Sequence, residues 1–277
     1  MSEQVHQLLD MALAAPGVLQ WRIKRFDTAF KLGHYGGVCR GVYTTYQEAA
    51  NAATSALPLG YNHLAGAQMY RDRLDRVWPG DYPMMLWLER AFQNGVKRVF
   101  DLGGHVGVSY YAYQKYIAFP PGLAWQVHDV PAVMAAGRDM ARERDTFGSL
   151  TFVDAFAPAA CADALFTSGC LQYLQSSLAD MLAALAQRPR WVLLNLIPLH
   201  DTLDYWTVQS IGQALCPYRI QRRSVFFADL QALGYEVLDT WQNAEKRCQV
   251  AFSPQHSIEG YVGAALKLRG STQAHVE

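Results

Sequence analysis

After residue 95 the chain repeats one pattern: a short apolar run, a turn, then a helix-compatible stretch. Apolar runs fall at 97–101, 124–128, 150–153, 163–167 and 191–197, and helical patterns at 106–117, 131–143 and 176–187 lie between most of them. A strand that reads as an uninterrupted apolar run is covered on both faces. The stretch "RWVLLNLIPL" (190–199) is the clearest example. Alternation of this kind folds as an open, doubly wound, mostly parallel α/β sheet. Further helices fit 204–214 and 224–233, and strands fit 235–241 and 261–268, which brings the sheet to seven strands. The last two are joined by "QNAEKRCQVAFSPQHSIEG" (242–260), where no crossover helix is visible, so the final strand is expected to run antiparallel.

Before residue 95 the rhythm is different. Three-to-four spacing predicts helices over 2–15 and over 62–78, "NHLAGAQMYRDRLDRVW". Between them "FKLGHYGGVCRGVYTTYQEAANAA" (30–53) is rich in glycine and tyrosine and enters a helix near Tyr46. "PGDYP" (79–83) is turn chemistry, with Asp81 placed to cap a helix running to Gln93. The expected organisation is a helical and irregular segment over 1–94, the sheet domain over 95–270 and a tail over 271–277.

Composition removes several classes of function. Lys plus Arg equal Asp plus Glu at 24 each, so no net field favours nucleic acid or an anionic membrane. The basic cluster "RIQRR" (219–223) reads as a solvated face or a local phosphate contact. Five cysteines form no CxxC pair and no zinc-finger spacing, which fits reduced thiols in a cytoplasmic protein. The apolar run Met11–Leu19 lacks a basic leader and follows Glu3 and Asp10, so no signal peptide is expected. No run of about 18 apolar residues predicts a membrane helix.

The chemistry concentrates in "VFDLGGHVGVSYYAY" (99–113). Glycine costs conformational entropy at the mouth of a helix, so Gly103, Gly104 and Gly107 imply a close approach to the backbone or a tight structural turn. In doubly wound sheets the ligand lies beyond the carboxyl ends of the strands, and the first strand-to-helix turn forms its floor. A dinucleotide fingerprint requires glycine at 102, where the chain has leucine. The pattern is instead acidic-x-G-G-x-x-G, and Asp101 would repel a pyrophosphate while suiting an ammonium. S-adenosyl-L-methionine carries both an ammonium and a sulfonium. Asp129, ending the second strand, then reads as a ribose ligand or as a turn residue before Pro131. Asp154 ends the third strand as a candidate for the adenine edge, and Thr167, Ser168 and Gly169 end the fourth.

Candidates for proton transfer are fewer. His200 follows the fifth strand with Asp201 beside it, and reads as a general base with its orienter or as a surface histidine. His105 lies inside the glycine turn, against the cofactor or as a helix cap. His34 and Tyr35 belong to a glycine-rich stretch suited to folding over the site, or to packing. Tyr110, Tyr111 and Tyr113 read as packing residues of the following helix. Asn195, inside an apolar strand, either satisfies backbone groups or faces the site. No metal site is evident.

On "DLGGHVG", "VHDVP", "FVDAF" and "FTSGCLQYL" the chain resembles the class I S-adenosylmethionine-dependent methyltransferases. "YTTYQEA", "GYNHL", "SGCLQYL" and "LQALGYEVLDTW" resemble, more narrowly, a bacterial methyltransferase family found among polysaccharide-biosynthesis genes. The resemblance spans about Phe30 to Leu268 and implies a Rossmann-like fold with the helical segment added at its N-terminus. It implies S-adenosyl-L-methionine as cofactor, with Asp101, Gly103, Gly104, Gly107 and Ser168 near its methionine portion, Asp129 on ribose and Asp154 on adenine. The narrower family more often has glutamate at 129. The implied activity is O-methylation of a small molecule or sugar-containing precursor, His-assisted or by positioning alone. "VHDVPAV" and "VDAF" also resemble small-molecule O-methyltransferases, which keeps a phenolic or polyketide acceptor open. An NAD(P)-dependent oxidoreductase and a cofactor-binding protein without transfer are the alternatives. The N-terminal helices serve equally as a lid or as a homodimer interface.

Overall fold

Strands β5 (Ala164–Ser168) and β6 (Trp191–Ile197) show why these segments are apolar throughout. Side chains alternate across a strand. Leu165 and Leu194 therefore enter one hydrophobic cluster, while Phe166 and Leu193 enter another on the opposite face. A computed structural model describes residues 15–63, 66, 69 and 71–270. In it these two strands are the centre of a seven-stranded sheet. The other members are β2 (Arg98–Leu102), β3 (Ala124–His128), β4 (Leu150–Phe152), β10 (Tyr235–Asn243) and β12 (Tyr261–Leu268), in the order β10-β12-β6-β5-β2-β3-β4. Every pairing from β6 through β4 is parallel, and β12 runs antiparallel to both β6 and β10. The fold is thus the doubly wound, mostly parallel sheet expected, with its last strand reversed.

Helices α3 (Tyr82–Gln93), α4 (Val108–Tyr113) and α5 (Pro131–Arg144) cover one face, where Met84, Leu88, Tyr110, Tyr113 and Val133 meet Trp125 and Phe166. Helices α6 (Leu178–Ala183) and α7 (Arg223–Ala232) cover the other through Leu182, Phe226 and Leu230. The three tyrosines of α4 are buried and packed. Tyr110 donates to Asp145 at 2.7 Å and Tyr113 to Asp81 at 3.2 Å, satisfying their hydroxyls.

A second sheet was not legible in the sequence. It has the order β11-β1-β8-β9-β7, with β1 (Gly36–Tyr43), β7 (Leu199–His200), β8 (Tyr205–Ile211), β9 (Leu215–Arg222) and β11 (Gln249–Ala251). The first strand comes from the N-terminal part of the chain, the others from excursions after β6 and β10. The division at residue 94 is therefore not a spatial one, because β1 is hydrogen-bonded between β8 and β11. Helices α1 (Pro16–Lys31) and α2 (Tyr46–Ala52) pack on this sheet, burying Phe30, Ala49 and Trp206. Thr45 and Glu48 form the capping box that starts α2.

Two helix expectations change. Residues 204–214 form strand β8 and its turn, because Trp206 and Val208 pack under α2 while Gln209 points the other way, a period of two rather than 3.6. In the stretch 62–78 the described residues show Gly66 helical, a 3₁₀ turn at Arg71–Arg73 and no helix over 74–78. Its charges are spent on neighbours: Asp75 pairs with Lys115 and Arg144, and Arg73 with Asp81. The expected helix over 2–15 and the tail over 271–277 lie outside the described residues. Asp81 does precede α3, yet its carboxylate accepts from the Trp78 amide, Arg73 and Tyr113 rather than from the helix. Among the described residues no helix is long and apolar enough to cross a membrane.

Candidate functional site

The carboxyl ends of β2, β3, β5 and β6 open into one cavity of about 860 Å³, closed on the other side by the second sheet and residues 59–61. Asp101, the glycine turn through His105, Asp129, Asp154 and Ser168 all border it. The parallel topology does this. Strands that run the same way deliver their loops to the same edge.

The glycine turn is shaped by the protein itself. A Cβ on Gly104 would stand 2.3 Å from Asp101 Oδ2, and one on Gly103, at φ +73°, would stand 2.3 Å from Cys170 Cβ. Gly107, at φ +90°, faces Leu150. These glycines let the loop close over the Asp101 carboxylate and against the β5 loop, so their crowding alone does not report a ligand. Helix α4 is also shorter than the expected 106–117.

Asp101 is buried and accepts a hydrogen bond from Trp125 Nε1 at 3.0 Å. Burial raises its carboxyl from the ordinary range to about 7, the Trp125 bond pulling the other way and the Asp129 charge adding to the rise. Asp129 accepts from the His105 amide at 2.9 Å and from the Val130 amide at 2.7 Å. Burial raises its pKa too, against those bonds and His105. It thereby braces the glycine turn as well as facing the cavity. His105 has φ +55°, and its Nε2 lies 2.9 Å from the Gly66 carbonyl, which fixes the proton on that nitrogen. Burial lowers the pKa of the imidazole. Asp154 sits at the rim, its side chain 80% exposed and paired with Arg138 at 2.7 Å.

Four candidates are not brought to the cavity. His200 lies in the second sheet with Nε2 against the Gln255 carbonyl at 3.1 Å, while Nδ1 accepts from the Thr202 and Leu203 amides. With both nitrogens committed to backbone it has none for a substrate proton. Asp201 points to solvent beside Arg223, 83% exposed, and does not orient the imidazole. Tyr35 stacks on Phe26 with ring centroids 4.5 Å apart, and His34 continues the turn that ends α1. Asn195 is a structural hub: it accepts from Trp241 and Asn243 and donates to the Gly80 carbonyl, each at 3.0 Å. In "RIQRR", Arg219 and Arg223 face Asp204 and Asp201.

Other cavity residues escaped sequence reading. Gln172 and Tyr173 follow β5, Gln209 and Tyr218 come from the second sheet, and Tyr61 from the N-terminal part. Gln209 stood in a segment read as helical. The available signal was "LQYL", polar residues set among apolar ones just past a strand end. Among the described residues no group of three or more His, Cys, Asp or Glu is placed to hold a metal ion.

No family model matches the chain, and no curated protein matches it. Solved structures do. The chain is similar to the cyclase SpnF at 16% identity and TM-score 0.48, over 68% of this chain and 81% of that one. It is similar to the N-terminal domain of EvdMO1 with SAH bound, at 17% identity and TM-score 0.45, over 74% and 84%. An O-methyltransferase family protein from Burkholderia thailandensis matches at 15% identity and TM-score 0.44, over 69% and 57%. All three likenesses are remote.

Proposed function

We propose that this protein is an S-adenosyl-L-methionine-dependent methyltransferase acting on a hydroxyl of a small molecule. The observation that carries the reading is electrostatic. Asp101 and Asp129 end adjacent strands and border one cavity, Asp101 buried and Asp129 half-buried, with no lysine or arginine paired to either among the described residues. Carboxylates withdrawn from water are expensive unless compensated, and a ligand that brings a cation to Asp101 and hydroxyl donors to Asp129 compensates both. A pyrophosphate would raise the cost instead, which disfavours a dinucleotide.

The residues present fit such a cofactor. Asp101 would face its ammonium, Asp129 its ribose hydroxyls and Asp154 at the rim its adenine edge, with Ser168 beside the methionine portion. When bound, S-adenosyl-L-methionine supplies a methyl group activated by the sulfonium. The protein's part is then to hold the acceptor oxygen in line, exclude water and let the hydroxyl proton leave to solvent. With His200 directed elsewhere, positioning rather than a dedicated base is the mechanism supported. The finer reading, a sugar-containing acceptor, is supported by the resemblance of "GYNHL" and "SGCLQYL".

Calorimetric titration with S-adenosylhomocysteine tests this. Wild type is expected to bind in the micromolar range, with Asp101→Ala and Asp129→Ala each weaker by about tenfold or more, about 1.4 kcal/mol. Folded wild-type protein that binds NADH and not S-adenosylhomocysteine would place the oxidoreductase reading first.

A further inference from the structure

The cavity lining also carries the polar side chains of Gln172, Tyr173, Gln209 and Tyr218, with Lys246 and Arg247 among the other lining residues. Tyr61 donates its hydroxyl hydrogen to Tyr173 at 3.1 Å, and Tyr173 donates onward to Gln209 Oε1 at 2.7 Å. That direction fixes the Gln209 amide. Its oxygen accepts that bond, and its Nε2, with two hydrogens to give, has no hydrogen-bond partner among the described residues. Gln172 is fixed the opposite way. Its Nε2 donates to the Gly169 carbonyl at 2.8 Å, which leaves Oε1 buried and without a partner. Gln172 and Gln209 are only 5% and 8% exposed, and both line the cavity. The buried Gln172 oxygen left unpaired costs free energy, and the Gln209 amide nitrogen keeps hydrogens to offer a ligand.

The two amides select a chemistry. A carboxylate or phosphate can accept from Gln209 but has no hydrogen for Gln172. An ammonium can donate to Gln172 but cannot accept from Gln209. A hydroxyl does both. Tyr173 and Tyr218, whose rings meet edge to face at 5.2 Å, supply apolar surface beside them. We infer that Gln172 and Gln209 form the acceptor subsite, and that the acceptor presents hydroxyl groups to them. This rests on the methyltransferase reading above. A carbohydrate and a catechol share that chemistry, and experiment separates them.

The test uses saturation-transfer NMR on the full chain loaded with S-adenosylhomocysteine. The probes are methyl α-D-glucopyranoside and catechol, with cyclohexanecarboxylate and cyclohexylammonium as charged controls lacking hydroxyls. At least one diol is expected to bind while the controls do not; a sugar signal alone assigns a carbohydrate acceptor, and a catechol signal alone a phenolic one. Gln172→Met and Gln209→Met, close to isosteric, should each weaken the diol by about fivefold, the loss of one hydrogen bond. S-adenosylhomocysteine affinity should stay within about twofold, well below the effect of one hydrogen bond. If Gln209→Met does not fold, Tyr173→Phe removes the hydroxyl that fixes the amide and should weaken the diol likewise. Diol binding unchanged in the variants, or absent from loaded protein, overturns the subsite alone. Loss of S-adenosylhomocysteine binding in both glutamine variants assigns the amides to the cofactor and also overturns it. Wild type that does not take up S-adenosylhomocysteine overturns the underlying reading.

Discussion

At the scale of single residues, Asp101 joins the chemistry to a cost in stability. Its carboxyl is raised from 3.8 to about 7 by burial. Between those values the folded chain holds a proton that the unfolded chain has lost, so stability falls as pH rises through that window. Asp101→Asn removes the penalty. We expect the variant to melt higher than wild type at pH 8 and to differ little at pH 4, while losing S-adenosylhomocysteine binding. Binding of a cationic ligand favours the ionised carboxylate, so wild-type affinity should rise from pH 6 toward pH 8 and then level off. Calorimetry in buffers of different ionisation enthalpy should detect a proton released on binding below pH 7. Affinity that is flat across that range would detach Asp101 from the ligand. Residue reading of the sequence found Asp101 and Asp129 because each ends an apolar run, a position visible without coordinates. It chose His200 by the same rule, and the rule failed there because the chain leaves the parallel sheet at Leu199 and enters the second sheet.

At the scale of the element, the turn from β2 to α4 is a loop folded over its own strand end. The positive φ of Gly103 and the carboxylate beneath Gly104 make both positions intolerant of a side chain. Gly104→Ala should displace the Asp101 carboxylate and cost about 1–3 kcal/mol, the usual penalty of overpacking. Gly148 is the control. It also has positive φ, +63°, but nothing lies within 4 Å of its Cβ position. Gly148→Ala should cost only the left-handed backbone term, about 1–2 kcal/mol, and leave ligand binding intact. Chemical denaturation of the two variants, each followed by S-adenosylhomocysteine titration, checks the pair. Equal losses of binding would mean that the turn responds to general destabilisation and not to the packing of Asp101.

At the scale of the molecule, the second sheet ties the two parts of the chain into one cooperative body. Trp206 lies in β8 but packs against Tyr46 of α2, ring centroids 5.3 Å apart, and against Phe30 of α1. Wild type should therefore unfold in a single calorimetric transition. Trp206→Ala should cost about 3–5 kcal/mol and move the whole transition down by about 10 °C, at about 2–4 °C per kcal/mol. A split into two transitions would make residues 1–94 an independent unit.

The sequence by itself determined the seven strands of the parallel sheet, the reversed final strand and the strand ends that carry Asp101, Asp129, Asp154 and Ser168. Those features rest on local periodicity and on the rule that parallel strands send their loops to one edge. Tertiary structure decided the rest. Strand β1 is written in glycine-rich sequence and acquires its pairing only from β8 and β11, segments far along the chain. Gln209 faces the cavity because that pairing sets the period of β8 to two, and the Tyr61–Tyr173–Gln209 relay joins three segments with no local signal in common. Sheet pairing between distant segments leaves little trace in either one alone, which is why the carboxylate-bearing strand ends of the cavity were legible and its Gln209 and Tyr218 wall was not.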